Sequence, residues 1–213
     1  MSKTALFKVD IQVGFCPGGN LAVPAGDKII PYINALPKYD IEIDSADWHP
    51  PGHKSFASSH KGKKPFVDLV PLNGAEQRLW PSHCVANTLD AKFAPGIRRG
   101  DFTVHKGMAE GVENYSPFFA NIPGQPKQGE ILDAKGQVLP FDTLQDFLRA
   151  KEVQNIDVCG LATDYCVKAF VLDALRHGFK VRLLTQGCRG VNVAPTDEAN
   201  ATKEMHLVGA ELA

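Results

Sequence analysis

Two short stretches carry side chains whose types and spacing could do chemistry. The first, C-G-L-A-T-D-Y-C at residues 159–166, has a cysteine at each end of a segment that leaves a strand-like run and enters a helical one. A cysteine in the first turn of a helix faces exposed N–H groups and the positive end of the helix dipole, which stabilise a thiolate and lower its pKa. Backbone N–H groups around the same turn can hold an oxyanion. Cys166 is therefore a candidate nucleophile, or else a packed core thiol, as free cysteines commonly are. Cys159 sits inside the apolar run I-D-V-C and reads as strand packing. A redox pair of Cys159 with Cys166 is a third reading.

The second stretch, D-W-H-P-P-G-H at 47–53, offers Asp47, His49 and His53, and W-P-S-H-C at 80–84 adds His83. An Asp-x-His pair directly after a strand puts both side chains on one side of a tight loop. Carboxylate and imidazole ligands suit Zn, Fe or Mn, and a third ligand from a distant loop is normal for an open site. The alternative is a His/Pro-rich surface loop with solvated histidines. His60, His105, His177 and His206 have no partner in view and are assigned structural or exposed roles.

A cysteine nucleophile needs a base and a balancing charge. Asp10 can take a thiol proton if burial or a nearby anion raises its pKa. Lys106 can hold carboxylate and thiolate together while charge develops. An ordinary ion pair at a loop edge is the competing reading of Asp10 with Lys106.

These residues share a setting. Strand-like runs at 5–9, 40–45, 101–105, 155–159 and 179–185 alternate with helical patterns at 25–36 and 167–178, the latter stopping at Gly178. Alternation of this kind predicts an α/β fold: three layers, a mainly parallel Rossmann-like sheet of five to six strands, in a single domain spanning 1–213. Residues 107–140, rich in Pro, Gly and Gln near 121–130, read as a partly irregular surface excursion. Ligands of such sheets bind beyond the carboxyl ends of the strands. Asp10, the Asp47/His49 pair, Lys106 and the Cys166 turn each fall at a strand end, so the topology gathers them on one edge.

Bulk properties narrow the partners. With 213 residues and a formal charge of −1, the chain can bury a sizeable core and has no basic surface run. That argues against nucleic acid or anionic membrane as the main partner. No leader or spanning segment is visible, and five scattered cysteines suit free thiols in the cytoplasm.

The motifs D-I-Q-V-G-F-C-P-G-G-N-L-A-V (10–23), D-W-H-P-P-G-H-K-S-F-A-S (47–58), W-P-S-H-C-V (80–85), H-K-G (105–107) and G-L-A-T-D-Y-C-V (160–167) together resemble the nicotinamidase/pyrazinamidase family of isochorismatase-like cysteine hydrolases. The resemblance runs from about residue 4 to 190. It implies a catalytic triad of Asp10, Lys106 and Cys166, and one divalent transition metal on Asp47, His49 and His83. It implies a cis peptide between Leu161 and Ala162 that turns the backbone N–H groups of Ala162 and Cys166 toward an oxyanion. Phe15, Leu21, Trp80 and Tyr115 match positions walling a pocket for a flat pyridine ring. The implied reaction is hydrolysis of nicotinamide, with its ring nitrogen docked on the metal, and of related amides such as pyrazinamide. Val13-Gly14 departs from the Asn-Asp often found before the first phenylalanine, and the role of His53 is open. Two rivals stand beside this reading: a metal-independent relative acting on another amide or carbamoyl group, and a non-enzymatic metal- or redox-binding protein.

Overall fold

The structure, a computed structural model, describes residues 3–213. Its strands in chain order are β1 (Lys3–Val9), β2 (Ile41–Asp47), β3 (Leu69–Leu72), β4 (Ala75–Arg78), β5 (Phe102–Lys106), β6 (Glu130–Asp133), β7 (Val153–Leu161), β8 (Lys180–Arg189) and β9 (Glu211–Leu212). Among the described residues the α-helices are α1 (Ile30–Ala35), α2 (Leu144–Ala150), α3 (Lys168–Arg176) and α4 (Asp197–Leu207), joined by short 3₁₀ and π-helical turns.

Seven strands form one sheet in the order β6-β5-β2-β1-β7-β8-β9. Only the β5–β6 pair is antiparallel. β1 is buried from Ala5 onward, and all seven residues of β2 are buried, as expected for strands covered on both faces. On one face, Phe170 of α3 stacks on Phe7 with ring centroids 4.1 Å apart. On the other, Tyr32 of α1 crowds Gly187 together with Cys159, the cross-strand neighbour of Lys8. Helices thus cover both faces, giving the three layers. Each buried aromatic of this kind contributes about 1.5–3 kcal/mol by leaving water.

The strand count exceeds the five to six expected. β6 carries charges at both ends (E-I-L-D), and β9 has two residues, so neither presents an apolar run long enough to read. The helix expected at 25–36 is a 3₁₀ turn (Gly26–Ile29) followed by α1, with Pro31 in its first turn and Leu36 already extended. That extension follows from Pro37, which disfavours helical backbone at the residue before it.

β3 and β4 form a separate two-stranded hairpin. Asn73 and Gly74 both take positive φ (50° and 79°), the two-residue turn that an Asn-Gly pair favours.

Strand order reverses at β1, which pairs with β2 on one side and β7 on the other. The crevice at such a reversal is where ligands bind in open α/β sheets. The carboxyl ends of β1, β2, β5 and β7 all open onto it.

Candidate active site and metal centre

Asp10 follows β1 directly, with φ of 48° and no solvent exposure. Its Oδ1 accepts from the Ser45 hydroxyl at 2.7 Å, while Oδ2 lies 3.0 Å from Lys106 Nζ. Lys106, the last residue of β5, is also fully buried. Its ammonium touches Asp47 Oδ1, donates to the Asn114 carbonyl at 3.2 Å and reaches Cys166 Sγ at 3.4 Å. One cation therefore joins both carboxylates and the thiol. Ligand atoms of Asp10, Asp47 and Cys166 all lie within 4.8 Å of one another.

Burial and mutual charge set the protonation states. Burial raises the Asp10 carboxyl; Lys106 draws it back, and the negative Asp47 adds to the rise. Burial acts the same way on Asp47, but there Lys106, then His49, prevail and hold it well below the carboxylate range. For Lys106, burial disfavours the charge, yet Asp10 and Asp47 hold it well above its ordinary value. Its charge is permanent in any working range.

The Cys166 thiol departs from expectation. It lies in a π-helical turn (Thr163–Val167) ahead of α3, with 6% exposure. Burial pushes its pKa well above normal; Lys106 opposes, and Asp10 and Asp47 add to the rise. The dipole argument, which favours a thiolate, is local, whereas burial of the turn and the two carboxylates are long-range. The resting thiol is neutral. Asp10 Oδ2 is fully buried and has no partner beyond its ion pair with Lys106.

A second cluster shares Asp47. Asp47 Oδ2 faces His49 Nε2 at 3.5 Å and His83 Nε2 at 3.8 Å, with all three residues buried. His49 Nδ1 bonds the Gly107 carbonyl at 2.9 Å, and His83 Nδ1 bonds the Pro81 carbonyl at 2.8 Å. Each carbonyl requires an N–H, which fixes the tautomer and leaves both Nε2 lone pairs turned on one carboxylate oxygen. His49 Nε2 is buried without any hydrogen bond. This donor set and its orphaned nitrogen fit a divalent transition metal. Gly107, at φ +65°, is needed here because a β-carbon would overlap the His49 ring.

The His53 ring packs tilted against His49, with centroids 4.3 Å apart. Its Nδ1 meets the Ser55 hydroxyl at 2.8 Å and its Nε2 the Val112 carbonyl at 3.1 Å. Both nitrogens are engaged by protein partners. Burial, then the nearby His49, push its pKa down to about 4.

Between the two clusters lies a cavity of about 20 Å³. Phe15, Leu21, Trp80 and Tyr115 line it, as do Asp47, His83, Ala162 and Cys166. The Leu161–Ala162 peptide is cis. Three further lining residues, Glu113, Tyr165 and Val191, escaped the sequence reading. The Glu113 side chain is 7% exposed, and its Oε2 makes no hydrogen bond but lies 3.8 Å from His53 Nδ1. It lies in a segment without periodicity, so nothing local announces it. Gln12 was missed as well: its side chain bonds both the carbonyl and the N–H of Asp47, at 2.9 and 2.8 Å, pinning the shared carboxylate's backbone.

The chain's relatives are found along its whole length. The isochorismatase domain family matches residues 113–213. The nicotinamidase of Escherichia coli K12 is 42% identical over 219 residues, covering 100% of this chain and 95% of that protein. The nicotinamidase/pyrazinamidase structure from Acinetobacter baumannii superposes with a TM-score of 0.85 at 33% identity, covering 100% of this chain and 96% of that one. A zinc complex of Pyrococcus horikoshii pyrazinamidase superposes with a TM-score of 0.71 at 34% identity, over 99% of this chain and 98% of that one. Identity of this level across the full length, on the same fold, means that the chain belongs to the nicotinamidase family of isochorismatase-like hydrolases.

Proposed function

We propose that the chain hydrolyses nicotinamide to nicotinate and ammonia through a thioester on Cys166, and that it deamidates pyrazinamide in the same way. The observation carrying this reading is the single ammonium of Lys106 against Asp10, Asp47 and Cys166, beneath a pocket bordered by Asp47 and His83.

Asp10, held up in pKa by burial, takes the thiol proton as Cys166 Sγ attacks the amide carbon. The C–S bond forms and the carbonyl π pair moves to oxygen, where the N–H groups of Ala162 and Cys166 receive it. As the carbonyl re-forms, the C–N bond breaks and Asp10 returns its proton to the departing nitrogen, which leaves as ammonia. Water, deprotonated by Asp10, then attacks the thioester. Nicotinate leaves, and the proton on Asp10 returns to the sulfur. Lys106 stays charged and lowers the cost of negative charge on its three neighbours.

A divalent metal, Zn, Fe or Mn, on Asp47, His49 and His83 would supply a Lewis-acid seat for the ring nitrogen. Phe15, Leu21, Trp80 and Tyr115 form the apolar walls that hold the ring flat. The product serves the recycling of pyridine nucleotides. An odd number of cysteines without a disulfide framework favours a reducing compartment, the cytoplasm. Among the described residues no helix is long and apolar enough to cross a membrane.

Ammonia release from nicotinamide by metal-loaded protein, measured beside Cys166→Ala, tests the proposal. Release by the wild type alone supports it. Near-wild-type release by the variant refutes the nucleophile. No release by either points to a relative acting on another amide.

A further inference from the structure

The cavity above Cys166 measures about 20 Å³, room for about one water molecule. A pyridine carboxamide is several times larger, so part of the wall must move before substrate can enter. The floor is fixed, because Asp10, Asp47 and Lys106 sit at the ends of buried central strands. The roof differs. Trp80 follows the β3–β4 hairpin, which lies outside the main sheet, and Tyr115 belongs to the irregular segment after β5.

Among the described residues, every hydrogen bond between residues 69–80 and 107–128 ends on one atom. Tyr115 Oη accepts from Gln77 Nε2 at 2.7 Å and from Trp80 Nε1 at 2.9 Å. Gln77 is the one buried residue of the hairpin strands, with 6% exposure. Its other bond, to the Arg78 carbonyl at 2.6 Å, is to its own neighbour, so the link to Tyr115 is its only distant one. A buried glutamine on a hairpin whose other residues are exposed or half-buried needs a partner, and that partner is the hydroxyl closing the pocket.

We propose that Gln77 is a positioning residue for the amidase reaction: by holding the Tyr115 hydroxyl it latches the roof over the ring, and opening of that latch sets how fast substrate is captured and the acid product released. This rests on the nicotinamidase reading. A latched roof closes over the free and the bound enzyme alike. Loosening it therefore speeds capture and release together and leaves affinity nearly unchanged.

The test is stopped-flow binding of nicotinate to metal-loaded protein in a Trp48→Phe background, where Trp80 is the sole tryptophan. Loss of one buried neutral hydrogen bond is worth about fivefold. Gln77→Leu is expected to raise the association and dissociation rates of nicotinate about fivefold each, with Kd moving less than twofold. In a Tyr115→Phe background, the same substitution should change nothing further. Gln77→Met, of similar length, serves if the leucine variant does not fold. Unchanged rates, a Kd weakened through dissociation alone, or effects that add in the double variant would each overturn the latch. Ammonia release by the unsubstituted protein is measured alongside. Its absence would count against the amidase reading, whereas turnover with unaltered nicotinate kinetics would count against the latch alone.

Discussion

Asp10 and Asp47 face the same ammonium: Lys106 Nζ lies 3.0 Å from Asp10 Oδ2 and touches Asp47 Oδ1, with every side chain in the trio at most 4% exposed. Two carboxylates so buried can share a pocket only because a cation stands between them.

Removing that cation should therefore cost stability as well as activity. Lys106→Met is expected to lower unfolding free energy by about 3–5 kcal/mol, the scale for breaking one side of a buried ion pair. Urea unfolding at pH 7 reads this directly. A variant as stable as the parent would mean that the carboxylates do not depend on Lys106.

Asp10 must be ionised to take the thiol proton, and burial raises its pKa above the ordinary 3.8. The acid limb of kcat/KM should accordingly fall above the usual carboxylate range, with activity lost as pH drops through it. Asp10→Asn should fold and bind nicotinate but turn over at least a hundredfold more slowly, the low end of general-base contributions, about 10²–10⁴. A fully active Asn variant would remove the base from the scheme.

His53 gives a second pH signature, in stability. Its pKa falls from 6.5 to about 4, first through burial and then through His49. The unfolded chain takes up this proton near pH 6.5, while the folded chain resists until about pH 4. The contribution is thus present in full above 6.5 and is lost as pH falls toward 4, with a ceiling of about 3 kcal/mol. Comparing unfolding at pH 7.5 and 4.5, His53→Gln should lose less stability than the parent. Equal losses would show that His53 does not carry the effect.

Chelation addresses the Asp47, His49 and His83 set. Nicotinate should bind at least tenfold more weakly to stripped protein, while the fold persists because Asp47 remains tied to Lys106 and Gln12. Reloading with Zn, Fe or Mn in turn should restore binding and rank the ions. Unaltered nicotinate affinity after complete stripping would rule out docking on the metal.

Much of this site was legible because parallel sheets present their reactive residues at strand ends, where short motifs survive in linear order. Asp10, Asp47, Lys106 and the Cys166 turn fall on one edge from their order in the sequence alone. What could not be read depends on distant packing. The neutral Cys166 thiol arises because burial outweighs a helix-end effect that is local. The hydrogen bonds of His53 run to Ser55 and to Val112, 59 positions away. Glu113 and Gln77 have no periodic context, and Gln77 acquires meaning only when the chain brings Tyr115 against it, 38 positions on. The edge strands β6 and β9 depend on neighbours more than on their own composition.

Seen as ligands, Asp10, Asp47 and Cys166 make a cage that could seize a thiophilic ion, and such an ion would tie up the Cys166 sulfur. The chain fills that cage with an ammonium covalently attached to its own backbone. No chelator can strip it and no influx of zinc can exchange it without unseating a buried lysine. In Lys106 the chain has a permanent occupant of that seat.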